Sequence, residues 1–482
     1  MSVSYGIRQR IKKISSSQAG DMASYAIALF FMKGLSLIML PIITRYLAPA
    51  EMGQLEILAV TGALLGILFS VALHEALYRF AGQAKGEEQA KIANSLFTMT
   101  LLFSFCAGCT GIAFLAHIEW PTDWELEKTP VLILFGSLTI EGALAMSLAW
   151  LRMLERSKIF TLICIVTSSL QVTLVLLGLE MGFSINGVLI AGFIAHLIQL
   201  GWVVRTTQLK LHIPTSRFVK QSLKYTAPIM LSGICAFGLN GAERWFILEG
   251  ESFATLGQYA IAAKFALAMC ILVQPFGMWW MPKRFAILDS NVEKATRITE
   301  KGIAYICLLA LTISLFGQWA LEFLLTDTYT PASQLLTGAI FMVLGKEYCE
   351  LLNLGLLKQK KTTTLFYINL VSAIFAITAM MVTYQYGIWS IILTVGITQL
   401  LRAIAIFAFS QRSFRLPYNT YKLGIILVIT LVGMATLNSN APIVTMLFTW
   451  VVTCFGIIIS VIPNKIRIFG SLSKLTSDSK AL

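Results

Sequence analysis

Lys33, Lys264 and Lys346 each stand inside a long run of apolar residues, and Glu141 stands inside a fourth. Charge in such a setting is costly, so it faces either a cavity or a partner. At 1.5 Å per residue, Lys33 and Lys346 lie about 16 and 21 Å into their runs, too deep to reach an interface by extending the side chain. Lys264 is intermediate, Arg45 and Arg244 lie within about two turns of one helix end, and Arg79 and Arg402 lie nearer the other. Lysine and arginine pair with phosphate oxygens through charge-assisted hydrogen bonds. The chemistry these residues suit is therefore the holding of an anionic group, with Lys33, Arg45, Arg79, Arg244, Lys264 and Lys346 as the candidate substrate-binding set.

Each candidate has a plainer reading beside it. Glu75 and Arg79 are four residues apart, as are Lys346 and Glu350, and either pair could close as a bridge along one helix face. Glu243 and Arg244 are adjacent and expected on different faces, so no such bridge is automatic. Lys33 and Lys264 lack a carboxylate one turn away, which favours cavity lining. Glu141 has no basic residue in its own turn, and an unpartnered carboxyl there could take up and release a proton. Its alternative is a hydrogen bond across helices. Glu350 is the second candidate for ion coupling. His196, alone among Ala, Leu and Ile, reads as structural, while Glu56 and His74 near helix ends carry no distinct reading. No catalytic set and no cofactor site is visible. Cys106 and Cys109 have a C-x-x-C spacing, but no second pair or nearby His completes a metal set.

The elements that position these residues follow from composition. Apolar residues make up 57% of the 482 positions and charged residues 13%, half the charge of an ordinary soluble domain, so the chain needs lipid around it. The formal charge of +13 would suggest nucleic acid in a soluble protein. Here it is read from where the basic residues fall, and no nucleic-acid partner is expected. A spanning helix needs about 20 apolar residues, and that rule places fourteen: near 22–47, 54–80, 92–116, 130–151, 159–178, 185–204, 225–248, 256–281, 302–325, 332–357, 364–386, 388–410, 420–437 and 442–462.

The expected fold is all-α and polytopic. Of the 37 Lys and Arg residues, 30 fall in the two terminal segments and alternate loops, and the positive-inside rule puts these on the cytoplasmic side. Lys128 alone lies in the opposite loops, beside Glu51, Glu119, Asp123, Glu125, Glu127, Glu180, Glu249, Glu251 and Asp327. Both termini are expected in the cytoplasm.

An internal repeat divides the chain. Gly53-Gln54 opens the second helix and Arg79-Phe80 closes it; Gly257-Gln258 opens the eighth and Arg284-Phe285 closes it. Helices one and seven start on the same side, so the halves form a parallel repeat about an axis along the membrane normal. The expected organisation is a cytoplasmic N-terminus at 1–21, an N-lobe of six helices at 22–206, a cytoplasmic connector at 207–224 and a C-lobe of six helices at 225–410. Two further helices at 411–463 and a cytoplasmic tail at 464–482 complete it. Pro41, Pro228 and Pro275 interrupt helices one, seven and eight, where kinks could serve alternating access.

The stretch from Lys33 through Pro41, Arg45 and Gly53 to Gln54 resembles the first-helix signature of bacterial polysaccharide-unit flippases. In the second half, Tyr225-Thr-Ala-Pro228, Glu243-Arg244-Trp-Phe and Leu256-Gly-Gln-Tyr-Ala-Ile-Ala-Ala-Lys264 resemble the seventh and eighth helices of the same group. These are the Wzx-like oligosaccharide flippases of the multidrug, oligosaccharidyl-lipid and polysaccharide exporter superfamily. The resemblance implies a non-enzymatic transporter of the bacterial inner membrane. It would pass undecaprenyl-diphosphate-linked glycan repeat units between leaflets for O-antigen, lipopolysaccharide, capsule or exopolysaccharide assembly, among membrane lipid and polysaccharide-assembly proteins such as a polymerase. Arg45, Arg244 and Lys264 lie on the matching signatures and would meet the diphosphate. A multidrug or cation antiporter of the same superfamily and a peptidoglycan lipid-precursor flippase are the alternatives. The antiporter should line its cavity with carboxylates, whereas the deep set here leans basic.

Overall fold

The computed structural model describes residues 24–461 apart from positions 25, 29, 121–124, 282 and 439–440. The basic N-terminal segment, Asp123 and the C-terminal tail lie outside these residues. Apart from three short 3-10 turns, every described element is a helix: α1 (Ala26–Ile43), α2 (Pro49–Ser70), α3 (Leu73–Phe80), α4 (Gly86–His117), α5 (Lys128–Met153), α6 (Ser157–Glu180), α7 (Ser184–Thr207), α8 (Ser216–Asn240) and α9 (Glu243–Gly250) come first. Then follow α10 (Phe253–Trp280), α11 (Arg284–Ser290), α12 (Val292–Leu324), α13 (Pro331–Leu352), α14 (Leu354–Lys358), α15 (Thr362–Thr383), α16 (Ile388–Ser413), α17 (Thr420–Leu437) and α18 (Ile443–Val461).

Among the described residues, 12 helices are long and apolar enough to cross a membrane. The two expected runs outside that set, 225–248 and 332–357, are helical too, but each is broken and carries charge. The first is α8 and α9, interrupted at Gly241–Ala242 just before Glu243 and Arg244. The second is α13 and α14, interrupted at Asn353 and carrying Lys346, Glu347 and Glu350. The expected second helix is broken as well: Val71 and Ala72 adopt φ of 47° and 51° between α2 and α3. A left-handed β-branched residue costs about 1–3 kcal/mol. Beyond the break, Leu73, Ala76 and Leu77 are fully buried against Leu96, Met146 and Trp150.

The described chain forms two compact units. One comprises the residues up to Lys264 with Glu322–Ala332 and Phe366–Thr398; the other comprises Phe265–Leu321, Ser333–Leu365 and the residues from Gln399 on. In the first unit α4 packs on α5, α5 on α7 and α6 on α7, and small residues bring the backbones together. A Cβ on Gly178 of α6 would stand 3.1 Å from Gly187 Cα of α7, and one on Gly142 of α5 would stand 2.2 Å from Ser104 Oγ of α4.

One end of this unit is tied by its short connections. Glu51 in the first turn of α2 accepts hydrogen bonds from Ala48 N at 2.8 Å and from the Ser184 hydroxyl, an acidic group where the helix dipole favours one. Tyr46 donates to Glu180, and Tyr329 donates to Leu47 O at 2.7 Å. Burial, and then Glu51, push the Tyr329 phenol above its usual pKa, so it remains a donor. Tyr329 is distant in sequence from the turn that it closes, a tie that no local pattern announces.

Candidate functional site

Gly53 and Gly257, the glycines that open the two halves of the expected repeat, meet. A Cβ on Gly53 would fall 1.9 Å from Phe253 O, and one on Gly257 would fall 2.0 Å from Pro49 O. Neither position has room for any side chain, so the first turns of α2 and α10 cross with backbone against backbone. That approach sets the reach of the next side chains along each helix.

Glu56 stands one turn beyond Gly53, and Tyr259 and Lys264 follow Gly257. The break at Gly241–Ala242 starts α9 at Glu243, and Arg244 projects from its first turn. Together they form one charged cluster. Arg244 Nε donates to Glu56 Oε1 at 2.6 Å, and Lys264 Nζ donates to Glu56 Oε2 at 3.1 Å. Arg244 Nη1 donates to Glu243 Oε1 at 2.5 Å, and the Tyr259 hydroxyl donates to the same oxygen at 3.1 Å. The guanidinium also lies 5.7 Å from the centre of the Tyr259 ring, within cation–π range. Trp245 Nε1 donates to Thr61 Oγ1 at 3.2 Å, a second tie between α9 and α2.

Two carboxylates and two cations balance, which is how buried charge is tolerated. Exposure is uneven across the cluster. The Glu56 and Glu243 side chains are 8% and 3% exposed, Arg244 is 13% and Lys264 is 31% exposed. The cations, not the acids, present the open edge.

The structure thus brings together two of the six predicted basic residues and supplies them with counter-ions that sequence reading did not assign. Glu56 carried no reading because it sits near a helix end. The signal available was electroneutrality: two cations inside apolar helices demand an anion at similar depth. Glu243 and Arg244 do pair, although their adjacency made no bridge automatic. The five-donor guanidinium fork engages Glu56 through Nε and Glu243 through Nη1 at once.

The other candidates stand apart from this cluster. Lys33 is exposed on α1 and makes no ion pair or hydrogen bond among the described residues. Arg45 is exposed in the turn that ends α1. Arg79 is exposed on α3; Glu75 does not bridge to it but lies 3.6 Å from His74 Nε2. Lys346 is half-buried and Glu350 exposed on α13, with no ion pair closed between them. Glu347 accepts from the Cys270 thiol at 3.4 Å. Glu141 on α5 is exposed, with carboxyl oxygens 3.6 Å from where a Cβ on Gly66 of α2 would stand. No described residue pairs with it, so the hydrogen bond across helices does not form. Arg402, 7% exposed on α16, has Cys349 Sγ 3.1 Å from its Nε. Among the described residues no group of three or more His, Cys, Asp or Glu could hold a metal ion.

A family model described as polysaccharide biosynthesis protein matches residues 19–285, more than half of the chain and all of the cluster. No curated sequence matches it. Among solved structures, the lipid II flippase MurJ in an inward closed conformation is similar with a TM-score of 0.68 at 14% identity, covering 90% of this chain and 97% of that one. A multidrug resistance MATE family transporter of the MOP superfamily gives 0.63 in its inward-facing conformation, at 14% identity over 81% of this chain and 97% of that one. An outward-facing conformation of such a transporter gives 0.52 at 15% identity, over 81% and 95%. At these identities the likeness establishes the fold, not the cargo.

Proposed function

The chain belongs to the polysaccharide biosynthesis protein family, and from that premise we propose that it moves undecaprenyl-diphosphate-linked oligosaccharide repeat units across the bacterial inner membrane by alternating access. The family is one of membrane transport proteins, not of enzymes. The product serves a surface polysaccharide such as O-antigen, capsule or exopolysaccharide. Both termini lie in the cytoplasm, and the end of the bundle tied by Glu51, Ser184 and Tyr329 faces outward.

One observation carries the reading: Arg244 and Lys264 converge on a single carboxylate inside apolar helices, with the cations on the open edge. Two cations set to share one bidentate anion suit a phosphate group. Lys33, Arg45, Arg79 and Lys346 would extend the basic path along the route, and the unpaired Glu141, with Glu350 as second candidate, would couple transport to an ion. The flippase of the same fold is named for lipid II, which supports a lipid-linked cargo. A cation antiporter, the rival with the same fold, would need the carboxylates of this cluster free, whereas Glu56 and Glu243 each hold a cation of the chain itself.

The test is glycan profiling of a deletion strain complemented with Lys264→Ala. Surface glycan should be lost while protein abundance in the membrane is unchanged, because Arg244 still compensates Glu56. Full complementation would remove the cluster from substrate handling. Reporters fused after residues 251 and 327 should report the outer side and those after 213 and 360 the cytoplasm.

A further inference from the structure

Glu56 occupies the place that an anionic ligand would take. Its two oxygens are divided between the two cations, Oε1 on Arg244 at 2.6 Å and Oε2 on Lys264 at 3.1 Å. A phosphate edge presents the same pair of oxygens and brings more charge. Lys264 and Arg244 are more exposed than Glu56. An incoming anion therefore meets the cations before it meets the acid. Glu56 also stands one turn from Gly53, where α2 and α10 touch backbone to backbone. The bridges from Glu56 to α9 and α10 are thus the polar clasp of the Gly53–Gly257 crossing.

Resting on the reading that the Arg244 and Lys264 pair receives a phosphate group, we infer that Glu56 is an internal counter-anion which that group displaces, and that the exchange unclasps α2 from α9 and α10. The empty transporter keeps the crossing shut because Glu56 bridges both cations, with Glu243 supplying the second negative charge. Diphosphate binding releases α2, so substrate arrival and opening of the crossing become one event. By linkage, whatever weakens the clasp strengthens anion binding. Arg244 retains Glu243 and Tyr259 as partners throughout, which holds its guanidinium in place when Glu56 leaves. Lys264 has no second carboxylate among the described residues, and so depends on whichever anion is present. The role assigned to Glu56 is positioning and competition, distinct from that of a residue that binds cargo.

Purified full-length wild type, Glu56→Gln, Glu56→Asp and Lys264→Ala in lipid nanodiscs would be titrated with farnesyl diphosphate, with farnesol as the uncharged control. A site held by its own carboxylate nine times in ten binds a competitor about tenfold more weakly. Glu56→Gln should therefore bind farnesyl diphosphate about tenfold more tightly than wild type, Glu56→Asp by an intermediate factor, and farnesol binding should be unchanged. Hydrogen exchange over 49–56 and 253–258 should rise in wild type when the diphosphate is added, and in Glu56→Gln should already be high without it. Lys264→Ala separates the two claims. If it binds like wild type, the phosphate reading itself falls, and the exchange falls with it. If it loses binding while folded Glu56→Gln and Glu56→Asp bind no tighter than wild type, the reading stands and displacement is overturned. Should Glu56→Gln fail to fold, Glu56→Asp, which keeps the charge and shortens the reach, decides the question alone.

Discussion

Two regions treat intramembrane charge in opposite ways. In the first unit, Arg244 and Lys264 meet the carboxylates of Glu56 and Glu243 across three helices. In the second unit, Arg402 and Glu347 meet thiols, Cys349 and Cys270 respectively. A carboxylate compensates a guanidinium by charge and by hydrogen bond, whereas a thiol is a weak acceptor and donor. The first arrangement is a specified structure whose members depend on one another; in the second, among the described residues, neither charge closes an ion pair. Counting cations in a sequence treats the two regions alike. Their partners tie Arg244 into the structure and leave Arg402 more loosely held.

Substitutions can break that contrast. Arg244→Ala should have the largest effect, because it strands Glu56 beside Lys264 alone and leaves Glu243 with only the Tyr259 hydroxyl. Breaking a buried pair costs about 3–5 kcal/mol, so membrane abundance should fall along with export, as read by immunoblot and thermal melting. Gly53→Ala comes next: its methyl would collide with the Phe253 carbonyl, and overpacking of that kind costs about 1–3 kcal/mol. Export should drop through a defective crossing, and faster hydrogen exchange over 49–56 would show it.

Lys264→Ala should be milder for stability, about 1 kcal/mol or less for a cation that is partly screened, yet should abolish export. That split between abundance and activity distinguishes it from Arg244→Ala. Arg402→Met should change the melting temperature least, since replacing a poorly paired buried cation by an apolar side chain of similar length is often neutral or stabilising. A loss as large as that of Arg244→Ala would show that Arg402 has a strong partner and would erase the contrast between the units.

Much of the architecture was legible in the chain. Over the described residues every expected apolar run is helical, three of them as two successive helices, because about 20 apolar residues in lipid leave the backbone no better way to satisfy its own hydrogen bonds. The breaks were less legible. Val71 and Ala72 resemble the residues around them, and only packing of Leu73, Ala76 and Leu77 beyond the break explains a left-handed pair there. The breaks at Gly241–Ala242 and Asn353 likewise fall in runs that carry charge.

The candidate site divides along the same line. Arg244 and Lys264 could be picked out from the sequence, since a cation in an apolar run is conspicuous wherever it folds. Gly53 and Gly257 could be paired as repeats from the Gly-Gln and Arg-Phe dipeptides and the matching topology. That these glycines touch, and that Glu56 consequently reaches both cations, follows from a crossing between helices some two hundred residues apart along the chain. Transfer energies belong to residue types, so the apolar runs and the charges within them can be read from the chain. Which charge neutralises which cannot, because ion pairing depends on ångström distances between helices that no local spacing encodes.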